Sequence, residues 1–355
     1  MVMEYLIFAI NPGSTSTKIA LYKNETALYS ESVNHPNNEI EKYDNLLEQI
    51  PMRRALVLDS LKKHGYTPDS LSCVMGRGGL FPPMKTGGYR VTKKMLDLIL
   101  NEQIQSHASN LGAVLASEVA ALGGIEAYVY DAVSANDLPL FARITGMKEI
   151  LRHSFCHVLN SRAVSMKYAK EHGKRYEDMN LIVAHLGGGI TMSAHLQGKI
   201  VESLSDDSGP FAPERAGNVP LLDVIDLCYG GKLSKQEMIR KIRGMGGLRD
   251  LLGTSDNREI VKMVESGDEY AALVMEAQAY QIAKGIYLVA PPLLGKIDAV
   301  ILTGGLAYNQ SLIRDVQKYI TFLAPVVFMP GEFEMEALAG GGLRILRGQE
   351  AVNEL

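Results

Sequence analysis

The stretch Asn11-Pro12-Gly13-Ser14-Thr15-Ser16-Thr17-Lys18 concentrates small residues, hydroxyls and one ammonium in a short span. Small residues let backbone N–H groups approach a phosphate closely, and the hydroxyls and Lys18 add donors around the same point. Asn11, Ser14, Ser16 and Lys18 are therefore candidate phosphate contacts. An ordinary Ser/Thr-rich surface turn has the same composition. A P-loop is excluded, because it needs a longer glycine-spaced bend, a Gly-Lys-Ser/Thr ending and a helix beginning there, whereas residues 19–22 continue as an apolar strand.

The elements around this turn follow from hydrophobic patterning. Apolar runs at 5–10 and 19–22 flank it as the arms of a hairpin, and 27–33 reads as a third strand. A helix is expected over 52–63 and a short strand over 71–75. That strand empties into Gly76-Arg77-Gly78-Gly79-Leu80-Phe81-Pro82-Pro83, a loop by its glycine and proline density. Helices over 93–105 and 111–122 precede a strand at 127–130, which ends at Asp131, and a long helix is expected over 155–171. The pattern then restarts. A strand at 181–185, the turn Leu186-Gly187-Gly188-Gly189, a strand at 190–196 and another at 200–204 repeat the opening meander. A long helix over 270–289 and a strand at 299–302 ending in Gly304-Gly305-Leu306 follow. The expected fold is α/β, two duplicated domains of mixed five-stranded sheets with flanking helices, with an insertion near 206–258 in the second copy. A ligand touched by glycine-rich turns from both copies would lie in a central cleft.

Composition narrows the function classes. With 355 residues the chain is long enough for about two domains, and its 46% apolar and 21% charged residues are ordinary for a globular protein. A net charge of −4 speaks against a nucleic-acid partner. Cys73, Cys156 and Cys228 show no CxxC spacing, which argues against structural zinc and for a reduced compartment with the three thiols buried. No apolar run is long enough for a membrane span, and the start of the chain lacks a basic n-region, so a cytoplasmic location without membrane association is expected.

Several motifs together resemble the carboxylate kinases of the acetate and sugar kinase, Hsp70 and actin superfamily. The 11–18 turn is similar to the Asn-x-Gly-Ser-Ser-Ser-x-Lys opening of acetate kinases. His153-Ser154-Phe155-Cys156-His157 resembles their His-Gly-Thr-Ser-His, and His185-Leu186-Gly187-Gly188-Gly189 their His-Leu-Gly-Asn-Gly. Gly253-Thr254-Ser255-Asp256-Asn257-Arg258 resembles their adenosine-side Ser-x-Asp-x-Arg, and Thr303-Gly304-Gly305-Leu306-Ala307-Tyr308-Asn309 their Thr-Gly-Gly-Ile-Gly-Glu-Asn. The matches run in family order from residue 11 to about 340. Departures such as Gly188 for Asn and the Gly-Arg-Gly-Gly form around Arg77 look like the butyrate kinase branch, which also contains branched-chain fatty acid kinases.

The resemblance implies two RNase H-like domains, residues 1–152 with a returning C-terminal helix at 337–355 on the acyl side and 153–336 on the nucleotide side. It implies transfer of a phosphoryl group from ATP to a short-chain carboxylate, giving ADP and an acyl phosphate, with Mg2+ as cofactor. Arg77 and Arg215, each in a Gly/Pro-rich loop, would carry the guanidinium forks such a reaction needs, and His153 would donate to the transferring group. His157 one turn later would cap a helix or support the site. Asp131 would hold Mg2+ or orient the acceptor, with a second carboxylate from Glu334 or Glu336. Nucleotide contacts are implied at Asn11, Ser14, Ser16, Lys18, His185, Gly187, Gly188, Gly189, Asp256, Arg258, Gly304, Gly305 and Asn309. A homodimer or larger homo-oligomer is implied as well. The glycines beside Arg77 are expected to open space for a longer acyl chain, with Leu80 and Phe81 as apolar walls. An Hsp70- or actin-like clamp would instead carry an aspartate-rich first turn, and a sugar kinase would need acid and amide groups for hydroxyls.

Overall fold

A computed structural model of the protein describes residues 3–355. The chain divides into two compact units, the first running up to Asn136 and including Phe333–Leu355, the second Asp137–Glu332. These limits fall earlier in the chain than the 152/153 and 336/337 boundaries that the motifs suggest.

In the first unit, β1 (Leu6–Pro12), β2 (Ser16–Lys23) and β3 (Thr26–Asn34) form an antiparallel meander. β4 (Cys73–Arg77) runs parallel to β1, and β6 (Ala127–Tyr130) parallel to β4. The edge is closed by β5 (Gly88–Arg90), antiparallel to β6. The order is β3-β2-β1-β4-β6-β5, six strands where five are expected. The alternation of β1 sends Phe8 and Ile10 into one core with Val57, Leu61, Leu111, Leu115 and Val119, from the helices Ile50–Lys63 and Leu111–Gly123. The opposite face carries Ile7 and Met75 against the helix Glu334–Leu346. There a Cβ on Gly342 would lie 2.9 Å from Met75 and 3.0 Å from Ile7, so the helix approaches the sheet at its glycines. Both faces are covered, and β1 is accordingly a continuous apolar run.

The second unit repeats the plan. β7 (Asn180–Leu186), β8 (Ile190–Leu196) and β9 (Lys199–Leu204) form its meander. β10 (Ala299–Gly304) and β11 (Val326–Pro330) extend it in parallel, in the order β11-β10-β7-β8-β9. The two five-strand orders superimpose, with β5 the one strand of the first sheet that has no counterpart. Ile182, Ala184, Met192, Val300 and Leu302 pack on Ile282, Ile286, Ile313 and Val316, from the helices Glu269–Val289 and Gln310–Ile320. The expected insertion contains three helices, Leu221–Tyr229, Lys235–Ile242 and Leu248–Leu252, and a further helix, Asn257–Glu265, begins at its end.

Three expectations need correction. The helix expected over 155–171 begins at Val158, so His153 and His157 do not share one helical turn. Cys73 and Cys156 are buried, but Cys228 is exposed on Leu221–Tyr229, a helix with no buried residue. The helix expected over 93–105 stops at Leu100. Among the described residues no helix is long and apolar enough to cross a membrane.

Candidate active site

The first turn is shaped by hydrogen bonding from beneath. Gly13 N–H donates to the Ser16 carbonyl at 2.7 Å, which closes the turn between β1 and β2. Arg53, on the helix Ile50–Lys63 and fully buried, donates through Nη1 to the carbonyls of Gly13 (2.9 Å) and Ser16 (3.3 Å) and to Thr17 Oγ1 (3.0 Å), and through Nη2 to the Ser14 carbonyl (3.1 Å). With the carbonyls drawn down to the guanidinium, the exposed Ser14 and Thr15 N–H groups donate to no protein acceptor among the described residues. Arg53 was not expected from sequence, since it sits in an amphipathic helix whose other basic residues are solvated.

Next to this turn, three predicted residues meet. Glu334 Oε2 accepts from Asn11 Nδ2 at 2.6 Å and from Arg77 Nη1 at 3.1 Å, and Arg77 Nη1 also lies 3.3 Å from Asn11 Oδ1. Asn11 and Arg77 come from adjacent strands, and Glu334 opens the helix that covers them, a position where a carboxylate also complements the helix dipole. Glu336 is exposed and contributes to no such cluster. Its charge is felt by Tyr22, whose hydroxyl is pushed up to about 12 mainly by burial and secondarily by Glu336.

The glycines after Arg77 do not open space. A Cβ on Gly78 would lie 2.6 Å from Ala132 Cα, and one on Gly79 would lie 2.1 Å from Asn110 Oδ1, which itself accepts from Leu80 N–H. Leu80 and Phe81 are buried. The glycines are there because the loop packs against its neighbours, so the open acyl space expected at Gly78 and Gly79 is filled by Ala132 and Asn110. Asp131, buried and at a positive φ of 45°, exchanges two hydrogen bonds with Gly87: its N–H donates to the Gly87 carbonyl, and its Oδ1 accepts from Gly87 N–H at 2.8 Å. It anchors that loop. Among the described residues no group of three or more His, Cys, Asp or Glu side chains could hold a metal ion, so Asp131, Glu334 and Glu336 do not form one.

In the second unit, Gly187, Gly188, Asp256, Arg258, Gly305 and Asn309 line one cavity of about 960 Å³. Two helix N-termini point into it. Asp256 caps Asn257–Glu265, accepting from Arg258 N–H, and Asn309 caps Gln310–Ile320, accepting from Ser311 and Leu312 N–H groups. Asn309 Nδ2 bridges them by donating to Asn257 Oδ1 at 3.2 Å. Arg258 folds back on Asp256, with Nη2 at 2.6 Å, and holds that carboxyl down to about 2. Lys262 and Arg314, each four residues beyond a lining residue on a helix, also line the cavity and were missed; that spacing was their only signal.

Not every predicted glycine lines it. Gly304, at φ 89°, exchanges N–H···O bonds with Gly331, and a Cβ there would lie 2.4 Å from the Leu186 carbonyl, so it serves the close packing of β10 against β7. Gly189 faces Asp206 and Arg215 instead. Arg215 Nε donates to Asp206 Oδ2 at 3.0 Å and Nη1 to the Glu214 carbonyl at 3.1 Å. Arg243, unforeseen, donates to the other Asp206 oxygen at 2.8 Å. One carboxylate thus holds two guanidinium groups beside the glycine turn.

The histidines form a separate cluster. His185 stacks on His157 with ring centroids 3.7 Å apart. His157 Nδ1 lies 2.8 Å from Thr191 Oγ1, and His185 Nδ1 lies 2.9 Å from Asn160 Nδ2, which donates also to Thr303 Oγ1. His185 is buried and ties together the strands under the glycine turn. His153 is exposed and stacks on Phe155.

Comparison with known proteins bears on the fold and the family. The chain is 44% identical over 353 residues to Butyrate kinase 1 of Clostridium acetobutylicum, covering 99% of both chains. The acetate kinase of Porphyromonas gingivalis has the same fold, with a TM-score of 0.78 at 19% identity over 96% of this chain and 100% of that one. The acetate kinase of Entamoeba histolytica gives 0.75 at 16% identity over 95% and 98%. A signature described as the acetokinase family matches residues 142–324. This chain therefore belongs to the acetokinase family.

Proposed function

We infer that the protein phosphorylates a short-chain carboxylate with ATP, and that butyrate is the preferred acceptor. The observation that carries the acceptor class is the full-length identity of 44% to a protein named butyrate kinase. A carboxylate is already ionised at neutral pH. One of its oxygens attacks the γ-phosphorus, the bond from that phosphorus to the bridging oxygen breaks, and ADP departs. No proton has to move, so the site needs no general base. It needs cations, because acceptor and donor are both anions.

Arg77 and Arg215 are proposed as those cations. Each is fixed by a carboxylate, Glu334 or Asp206, and keeps guanidinium N–H groups beyond that pair. Nucleotide is assigned to the cavity of the second unit, with its phosphates toward Gly187 and Gly188 and its nucleoside among Asp256, Arg258, Gly305 and Asn309. The turn of Ser14, Ser16 and Lys18 is assigned to phosphoryl oxygens. His153, exposed beside Phe155, is retained as a donor to the transferring group; His185 is assigned a structural part under the turn.

Mg2+ takes oxygen ligands and keeps several waters, so one carboxylate beside the phosphates suffices. Glu334 fits, because its Oε1 accepts no hydrogen bond among the described residues while Oε2 is engaged. Glu334, and not Glu336, is therefore the proposed carboxylate, with Asp131 supporting the loop. When bound, the ion neutralises charge on the phosphoryl oxygens.

Self-association is proposed through Leu221–Tyr229, on which Leu221 and Leu222 are each 76% and Tyr229 87% exposed. Light scattering at micromolar protein should return a multiple of the 38.8 kDa chain mass. The activity itself is tested by phosphorus NMR of ATP, Mg2+, butyrate and enzyme. An acyl phosphate resonance is expected, and ATP hydrolysis without one contradicts the reading.

A further inference from the structure

Arg53 is 0% exposed, yet among the described residues no carboxylate is a hydrogen-bond partner of its guanidinium. Its hydrogen bonds go to the carbonyls of Gly13, Ser14 and Ser16, to Thr17 Oγ1, and to Gln49 Oε1, which accepts from both Nε (3.1 Å) and Nη2 (2.9 Å). A buried guanidinium normally has a counter-anion, since desolvating an uncompensated charge is costly. Burial lowers its pKa to about 10, which still leaves it a cation at neutral pH. The neighbouring imidazole adds no negative charge: His35 is buried, lies 2.8 Å from Thr17 Oγ1, and is pushed toward its neutral form by burial and by Arg53 itself.

We propose that Arg53 is a positioning residue for the phosphate of the nucleotide, whose negative charge is its missing counter-anion across the 13–17 turn. The guanidinium gathers three turn carbonyls on its own side. That leaves the Ser14 and Thr15 N–H groups facing away from it, so the turn presents donors outward with a full positive charge behind them. The bound anion would thus interact with Arg53 through the oriented peptide dipoles without touching it. A carboxylate at position 49 would satisfy Arg53 equally well as a matter of stability, and the presence of a neutral glutamine there keeps the charge available. The inference rests on assigning this turn to phosphoryl oxygens.

The test is Gln49→Glu, which supplies a counter-anion with almost no change of shape. Thermal stability is expected to be unchanged or higher, while the Kd for ATP, measured by calorimetry, rises about tenfold and the affinity for adenosine stays within twofold. Stability and ATP affinity falling together would make Arg53 purely structural and overturn the proposal, as would unchanged ATP affinity. Arg53→Lys is the second variant. It keeps the charge but loses the fork, and an ATP Kd at least tenfold weaker in the folded protein, again with adenosine affinity kept, is expected; ATP binding equal to that of the parent overturns the proposal. Failure of the parent protein to bind ATP at all would instead strike the functional reading, so the two failures are distinguishable.

Discussion

The two units carry the same hairpin and equip its turn in opposite ways. The first turn, Gly13-Ser14-Thr15, carries two hydroxyls and has a buried arginine beneath it whose partners are carbonyls, a hydroxyl and an amide. The second, Gly187-Gly188-Gly189, has no side chains of its own, a stacked histidine pair beneath it, and arginines beside it that share the Asp206 carboxylate. Directly beneath the first turn positive charge is fixed and hidden in Arg53, with the ion-paired Arg77 to one side, whereas beside the second both guanidinium groups are partly exposed and share one carboxylate. The two units thus share the hairpin backbone and differ in the charge placed around its turn.

The sharpest attack on this comparison is at the second turn. Arg215→Lys keeps the charge but cannot hold Asp206 and a phosphoryl oxygen in fork geometry, and kcat should fall about 100-fold or more, roughly 2.7 kcal/mol. Near-normal kcat with a raised KM would demote Arg215 to ground-state binding.

Beside the first turn, the tight contacts at Gly78 predict a stability effect in place of a specificity effect. Gly78→Val should cost about 2 kcal/mol or more in denaturant unfolding through overpacking against Ala132. Its surviving activity should decline equally on butyrate and acetate, and a selective loss on butyrate would restore the idea of an acyl wall there.

A smaller effect separates the two acidic candidates. Glu334→Gln removes the charge that fixes Arg77, and about a tenfold fall in kcat, or 1.4 kcal/mol, is expected, whereas Glu336→Gln should stay within twofold. Steady-state assays of both variants at saturating ATP decide this, and equal effects would reopen the choice.

Both hairpins also bury a histidine on a hydroxyl. His195 lies between Tyr176 OH and Ser193 Oγ, and burial together with Arg162 depresses it to about 3; His35 is depressed by burial and Arg53. A depressed histidine is neutral in the fold but takes up a proton when unfolded below about pH 6.5, so its stability contribution is present above that pH and is lost as pH falls toward the folded value. Unfolding free energy should decline from about pH 6.5 downward, and His195→Asn should remove about one proton from that dependence in urea titrations. An unchanged slope would show that His195 is already protonated in the fold.

Much of the architecture was legible because the first two strands of each meander carry apolar runs, and the repeat was carried by paired strand-Gly signals. What escaped was short or half-exposed. β5 has only three residues, too few for any alternation, and β11 ends in Pro330 with mostly intermediate burial. Phe155 and Cys156 look like helical core residues, which moves the expected start of the 158–171 helix too early; the chain bends at Cys156 and becomes helical only from Val158. Asn11 and Arg77, which the fold brings together with Glu334, stand in recognisable strings, whereas sequence alone left Glu334 and Glu336 as equal candidates. Arg53, Arg243, Lys262 and Arg314 stand in helices or turns whose local sequence looks solvated, and only the tertiary fold shows which neighbours they meet. The glycines misled most. A glycine in sequence cannot say whether it leaves room or is needed because none is left, and Gly78, Gly79 and Gly304 are of the second kind.

The central claim is that a carboxylate accepts the phosphoryl group and that butyrate is favoured over acetate. Trapping the acyl phosphate with hydroxylamine, in parallel reactions on butyrate, acetate, isobutyrate and glucose, tests it most directly. Two additional buried methylenes at about 0.8 kcal/mol each predict kcat/KM for butyrate roughly 15-fold above that for acetate, with no hydroxamate from glucose. Acetate turned over faster than butyrate, or ATP consumed with glucose while no acid yields hydroxamate, would contradict the account.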